Sequence, residues 1–195
     1  MEFLKNLYKK RTLADYILYT AIIFGGIILD QLTKWLSVKF LTLVDTVPLI
    51  KGVLHLTYVE NTGAAFGMLK DHRWVFILIS TVTIVAFLFY LYLGHADTRL
   101  YGIAFSMIIS GGIGNMIDRI ALGYVVDFID FRLINFAVFN GADSFVCVGA
   151  GIMILALILE LRRETASEKA KKGVSKATKN NAEYSSPNDG DTETK

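Results

Sequence analysis

Two aspartates, Asp127 and Asp143, each stand in a short patterned segment, Val-Val-Asp-Phe-Ile-Asp-Phe and Phe-Asn-Gly-Ala-Asp-Ser, beside runs apolar enough to cross a bilayer. A carboxylate near lipid is costly to keep charged, so such residues mark functional sites by default. They lie 16 residues apart, too far to meet on one helix, but a returning loop between two spans brings them together. Two carboxylates about 3 Å apart cannot both ionise and share one proton: the charged one deprotonates a water and the neutral one protonates a carbonyl oxygen. Such a pair titrates as a unit. The plainer reading is two unrelated interfacial aspartates, with Asp143, just ahead of an apolar helix, serving as its cap.

Two further groups flank this pair. Asn115, Asp118 and Arg119 fall at i, i+3 and i+4 and project from one helical face. An Asp118–Arg119 pair that anchors the helix end is the expectation for Asp118, which leaves Asn115 and Arg119 to point toward whatever sits above. Asn61-Thr-Gly-Ala-Ala-Phe-Gly combines a side-chain amide with a glycine-permitted turn. It suits the holding of a peptide or a developing oxyanion through Asn61 and nearby backbone amides, or simply a turn feeding the next helix.

The elements that must position these groups are apolar. The chain has 195 residues, 53% hydrophobic, and a mean hydropathy of +0.47, which points to the membrane class. A net charge of +2 gives no reason to expect a nucleic-acid partner. The single cysteine, Cys147, provides no disulfide framework and is expected as a small buried side chain. Spans are expected at about 13–35, 74–94, 99–119 and 137–161. The second has Trp74 at one end and Tyr90 and Tyr92 at the other, as at bilayer interfaces, and the third carries Gly102, Gly111, Gly112 and Gly114, which permit close helix approach. No small-x-small cleavage site follows Tyr16 to Leu29, so that stretch is read as an uncleaved first span.

Basic clusters flank the first and fourth spans, Lys5, Lys9, Lys10 and Arg11 before one and Arg162, Arg163, Lys169, Lys171 and Lys172 after the other. The positive-inside rule then puts both termini in the cytoplasm and segments 38–73 and 120–139 outside. Those segments alternate as strands do, Val125, Asp127, Ile129 and Phe131 on one face and Val126, Phe128 and Asp130 on the other. The expected architecture is a mainly α membrane protein, a four-transmembrane-helix bundle with a small extracytoplasmic β-cradle, in one domain over 1–172. Residues 173–195 are poor in apolar side chains and are expected as a disordered cytoplasmic tail.

Asp30-Gln-Leu-Thr-Lys34, Asn61-Thr-Gly-Ala-Ala-Phe66, Gly111-Gly-Ile-Gly-Asn-Met-Ile-Asp-Arg119, Val125-Val-Asp-Phe128 and Phe139-Asn-Gly-Ala-Asp143 occur in this order. Together they closely resemble the lipoprotein signal peptidases (signal peptidase II), bacterial membrane aspartic peptidases, over roughly Tyr16 to Leu161. The resemblance implies removal of signal peptides from prolipoproteins, just before a cysteine carrying diacylglycerol, with no metal or organic cofactor. It implies Asp127 and Asp143 as the catalytic dyad. Asn61, Gly63, Asn115, Arg119 and Asn140 become supporting residues, and Asp30 and Lys34 the motif ending the first span. It implies a multi-pass protein of the bacterial inner membrane with its site at the outer face, in contact with membrane lipid, and a globomycin-type inhibitor in the same cleft. Phe66 and Trp74 are expected either to grip the lipidated segment or to serve as interface anchors. Glu60 and Gly141 depart from the family pattern, the second in a way expected to loosen the loop presenting Asp143.

Two rivals remain open at this stage. Ser110-Gly-Gly suggests an intramembrane serine peptidase, although His55, His72 and His95 all lie outside the spans. Asp30, Asp118 and Asp143 suggest a small transporter or channel subunit with a proton or ion path.

Overall fold

The computed structural model describes residues 11–44, 46–63, 72–93 and 98–184, with side chains described to residue 168. Phe66 and His95 lie outside the described residues. Four helices long and apolar enough to cross a membrane are present: α1 (Leu13–Leu41), α2 (Arg73–Tyr92), α3 (Arg99–Ala121) and α4 (Gly141–Tyr184). Between them run β1 (Val47–Ile50), β2 (Leu54–Asn61) and β3 (Val125–Phe131), followed by a single 3-10 turn at Arg132–Ile134.

Each helix has a reason to stand where it does. In α1 the buried residues Tyr19, Ile23, Gly26, Asp30, Lys34, Ser37 and Leu41 recur every three or four positions and form one stripe. That stripe packs on α3, the most enclosed helix, whose buried face includes Gly102, Ser106, Ser110 and Gly114 at intervals of four. A Cβ at Gly102 would run into the Tyr19 ring and one at Gly114 into the Asp30 carboxylate, so glycine is what lets the two backbones approach. The core joins Tyr19, Ile23, Ile84, Leu91, Phe105 and Ile109. Outside it, Trp74, Leu78, Val82, Val85 and Phe89 of α2 are exposed along one face. A continuous apolar stripe of that kind is at home against lipid tails and not against water.

The sheet is antiparallel in the order β1-β2-β3. A bulge between Leu56 and Val59 sets two residues of β2 against one of β3, so that Val59 pairs with Asp127 and Asn61 with Val125. Phe139 adds a bridge to Ile129 on the other edge of β3. Both faces of β3 are enclosed, with Val125, Val126 and Asp127 each no more than 2% exposed.

Three boundaries differ from the sequence reading. Helix α1 runs on to Leu41, because Trp35 to Leu41 continues the helical stripe. Helix α4 starts at Gly141 and not near 137, because Phe139 is committed to the bridge with Ile129 and Asn140 caps the helix. The chain divides into two compact units at Ala156 and Leu157, and in the second unit α4 continues to Tyr184, within the tail expected to be disordered. Its Ala, Lys and Glu content favours helix.

Candidate active site

The bulge in β2 is the first positioning device, since it puts Asn61 on the same face of the sheet as Asp127. Asn61 Nδ2 donates to Asp127 Oδ2 at 2.8 Å, while Asn61 Oδ1 accepts the Gly63 N–H at 2.9 Å. The turn expected of this segment is present, and it fixes which way the Asn61 amide faces. The second device is the start of α4. Asn140 Oδ1 accepts the Asp143 N–H at 2.9 Å and Asp143 Oδ2 accepts the Asn140 N–H at 3.2 Å. This is a reciprocal capping box in which Asp143 occupies the third helical position.

Asn140, fully buried, also joins the two aspartates. Its Nδ2 donates to Asp127 Oδ1 at 2.6 Å and to Asn115 Oδ1 at 3.0 Å. Asn115 Nδ2 in turn donates to Asp143 Oδ1 at 2.7 Å. Both carboxylates thus receive side-chain amides and border one cavity of about 580 Å³. One wall is polar, with Asn61, Asn115, Arg119, Asp127, Asp143 and Ser144; the other is Phe76, Val125, Phe136 to Phe139, Cys147 and Val148.

Asp127 is 1% exposed. Burial, partly offset by the Asn61 hydrogen bond and reinforced by the nearby Asp143 charge, raises its pKa to about 6. Asp130, on the same strand but away from the cavity, is held below the usual carboxylate range: burial opposes this, and the Arg132 and Thr57 hydrogen bonds outweigh it.

Beneath the cavity Asp30 and Lys34 form an ion pair at 3.0 Å, and Lys34 Nζ also meets Asp118 Oδ2 at 3.0 Å and Asn115 Oδ1 at 2.9 Å. The expected Asp118–Arg119 pair is therefore corrected: Asp118 pairs with Lys34. Arg119 instead donates to the Gly63 carbonyl at 3.1 Å and the Asn115 carbonyl at 3.5 Å, its guanidinium 4.7 Å from the Phe76 ring centroid. All nine residues singled out in the sequence, Asp30, Lys34, Asn61, Gly63, Asn115, Arg119, Asp127, Asn140 and Asp143, belong to one connected hydrogen-bonded set.

Sequence reasoning missed Gln31, whose Nε2 lies 3.2 Å from Asp30 Oδ2, 3.2 Å from the Gly114 carbonyl and 3.1 Å from Asp118 Oδ1. Its place inside the Asp30–Lys34 motif was the available signal. Phe76 carries no motif and had none. Cys147 is exposed and lines the cavity, contrary to the buried side chain expected, because it sits one turn beyond Asp143 on the same face of α4. Gly141 does not leave the loop slack: it is the first residue of a capped helix, and a Cβ there would meet Asp30 Oδ1 at an ordinary 3.5 Å. Ser110, the nucleophile of the rival serine scheme, is fully buried between α1 and α3. His55 is occupied in the sheet, with Nε2 accepting the Gly52 N–H at 3.1 Å. Among the described residues no three His, Cys, Asp or Glu side chains converge as metal ligands do.

Comparison with known proteins leads the same way. A lipoprotein signal peptidase of Caldanaerobacter subterraneus subsp. tengcongensis is 49% identical over 134 residues, 69% of this chain and 91% of that protein. One from Halalkalibacterium halodurans is 38% identical over 156 residues, 79% of this chain and all of that protein. A bacterial membrane enzyme structure obtained by the in meso method at 2.3 Å resolution matches with a TM-score of 0.70 at 29% identity, covering 80% of this chain and 94% of that one. Residues 22–159 match the family described as Signal peptidase (SPase) II, and the chain belongs to that family.

Proposed function

We propose that this multi-pass membrane protein is an aspartic endopeptidase that removes signal peptides from prolipoproteins, cutting before the diacylglyceryl-modified cysteine, with Asp127 and Asp143 as the dyad. The observation that carries the reading is that Asn140 bonds to both aspartates, which border one largely apolar cavity. One carboxylate takes a proton from a water as it attacks the scissile carbonyl and later passes that proton to the leaving amine; the other, protonated, donates to the carbonyl oxygen and takes a proton back as the tetrahedral intermediate collapses. Asn61 and Arg119 offer donors toward the same cavity for the substrate backbone and the developing oxyanion. The apolar wall suits a lipid-bearing peptide that enters sideways from the bilayer, and a globomycin-type cyclic peptide would compete for the same space.

Orientation follows from the ends of the bundle. Arg11 donates to the Leu91 carbonyl, and Arg99 pairs with Asp15 at 2.9 Å, so basic residues collect at the end where α1 begins. The aspartates lie at the opposite end. The positive-inside rule then gives cytoplasmic termini and a site at the outer face of the bacterial cell membrane. The gathering of the proposed dyad at that outer end argues against a conduction path, which needs ionisable groups near mid-bilayer.

The test is cleavage of a diacylglyceryl-modified prolipoprotein by purified wild type, Asp127→Asn and Asp143→Asn, each checked for folding. Loss of about 10²–10⁴-fold or more in both variants is expected. Wild-type turnover in either folded variant removes that residue from catalysis.

A further inference from the structure

The backbone amide just before each member of the proposed dyad ends on a buried carboxylate. Ala142 N–H donates to Asp30 Oδ1 at 2.8 Å, and Val126 N–H donates to Asp118 Oδ2 at 3.0 Å. One ammonium bridges the two carboxylates, Lys34 Nζ being 3.0 Å from each. Its third hydrogen goes to Asn115 Oδ1 at 2.9 Å, and Asn115 holds Asp143 directly. An ammonium has three donors, and all three are used.

We propose that Lys34 is a positioning residue that sets the separation of Asp127 and Asp143, acting through Asp30 on the start of α4 and through Asp118 on β3. The inference rests on the peptidase reading. It assigns Asp118 a part in the site that neither its helix nor its neighbour Arg119 reveals. Asp30, Lys34 and Asp118 do not line the cavity, so they act through the residues they hold. The three side chains are at most 4% exposed, so the ions are strongly coupled and cannot be exchanged for water contacts without moving the backbone. Gly114 and Gly111 keep the arrangement rigid: a Cβ on the first would strike Asp30, and one on the second the Ala142 carbonyl. A geometry error of about 1 Å between reacting groups is enough to cost about 10²-fold in rate.

The experiment uses the full chain in detergent or proteoliposomes with a diacylglyceryl-modified prolipoprotein. Asp118→Asn leaves one ammonium matched to one carboxylate and keeps an oxygen able to accept the Val126 N–H, so the fold survives. Lys34→Arg keeps the charge but changes reach and shape. For both, kcat is expected to drop at least about tenfold with KM within about threefold of wild type, and the apparent pKa values of the kcat profile to move, because a changed separation alters how the dyad shares its proton. A structural role alone would lower the melting temperature and leave the kcat profile of the folded fraction in place. Wild-type kcat and pH profile in Asp118→Asn overturn the proposal, whatever Lys34→Arg does. Asp127→Asn and Asp143→Asn in the same assay report separately on the peptidase reading.

Discussion

Asn140 and Asp143 cap the fourth helix reciprocally, each accepting the other's backbone N–H, at 2.9 and 3.2 Å. The carboxylate proposed for catalysis is therefore also the one that starts the helix carrying it, and the two uses do not compete. Asp143 Oδ2 faces the Asn140 amide and Oδ1 accepts from Asn115, so the cap removes rotational freedom that the reaction would otherwise have to freeze. The cap expected at Asp143 is Asn140 instead, with Asp143 as its partner at the third helical position, and that pairing leaves the proposed catalytic role open to it.

Asn140 separates these contributions. Asn140→Ala removes the cap and the bond to Asp127, and is expected to cost about 1–3 kcal/mol of stability along with activity. Asn140→Asp keeps an oxygen for the Asp143 N–H but replaces the donor facing Asp127 with a third carboxylate. It should melt closer to wild type than Asn140→Ala while cleaving prolipoprotein at least about 10²-fold more slowly. Thermal melts in detergent paired with initial rates check both; an active, well-folded Asn140→Asp would count against the bridging role.

Asp127 predicts a stability cost with a definite sign. Its folded pKa is raised from 3.8 to about 6, with burial the main cause. A raised acid binds its proton more tightly when folded, so its contribution to stability is fully present below about pH 4 and is lost as pH rises through about 6, by on the order of 3 kcal/mol. The melting temperature of Asp127→Asn relative to wild type should accordingly rise from pH 4 to pH 8, on top of a pH-independent loss from the amide group that must face the Asn61 or Asn140 donor. An equal difference at the two pH values would contradict the assignment.

The helices and motifs were legible because both are local. Apolar length marks a span, and Asp30 to Lys34, Asn61 to Gly63 and Phe139 to Asp143 each keep their residues within a turn or a strand end. What was not legible depends on packing between elements far apart in sequence. Reading Asn115, Asp118 and Arg119 as one helical face paired Asp118 with its neighbour Arg119, but burial of the α1 stripe against α3 brings Lys34 to it instead. The bulge at Leu56 to Val59, which turns Asn61 toward Asp127, has no glycine or proline to announce it. The start of α4 was placed too early because Ala137 to Phe139 is as apolar as the helix, and only the Ile129 bridge shows it to be extended.

The glycines of α3 give a graded series. Gly114→Ala would press its methyl into the Asp30 carboxylate and Gly111→Ala into the Ala142 carbonyl and the Val146 methyl. Each is expected to destabilise by about 1–3 kcal/mol and to lower activity by displacing the cap on α4. Gly112→Ala meets only Ile84 at 3.3 Å and Gly25→Ala on α1 meets nothing within 4 Å, so both should be tolerated, Gly25→Ala with a gain of up to about 1 kcal/mol from helix propensity. Melting temperatures of the four variants in one detergent test the ordering.

Arg119 and Phe76 form the last testable pair. The guanidinium lies 4.7 Å from the ring centroid while its two terminal nitrogens reach the Gly63 and Asn115 carbonyls. The planar fork serves both carbonyls and stacks on the ring, which a lysine ammonium cannot do together. Arg119→Lys should therefore lower kcat/KM although the charge is kept, because the Asn61–Gly63 turn loses its tie to α3. Phe76→Leu removes only the ring face, for an expected loss of about 0.5–2 kcal/mol. If the ring acts by holding the guanidinium, the double variant loses less than the sum of the two, by about 0.5 kcal/mol or more in transition-state stabilisation. Strictly additive losses would instead make Phe76 a cavity wall that contacts substrate on its own account.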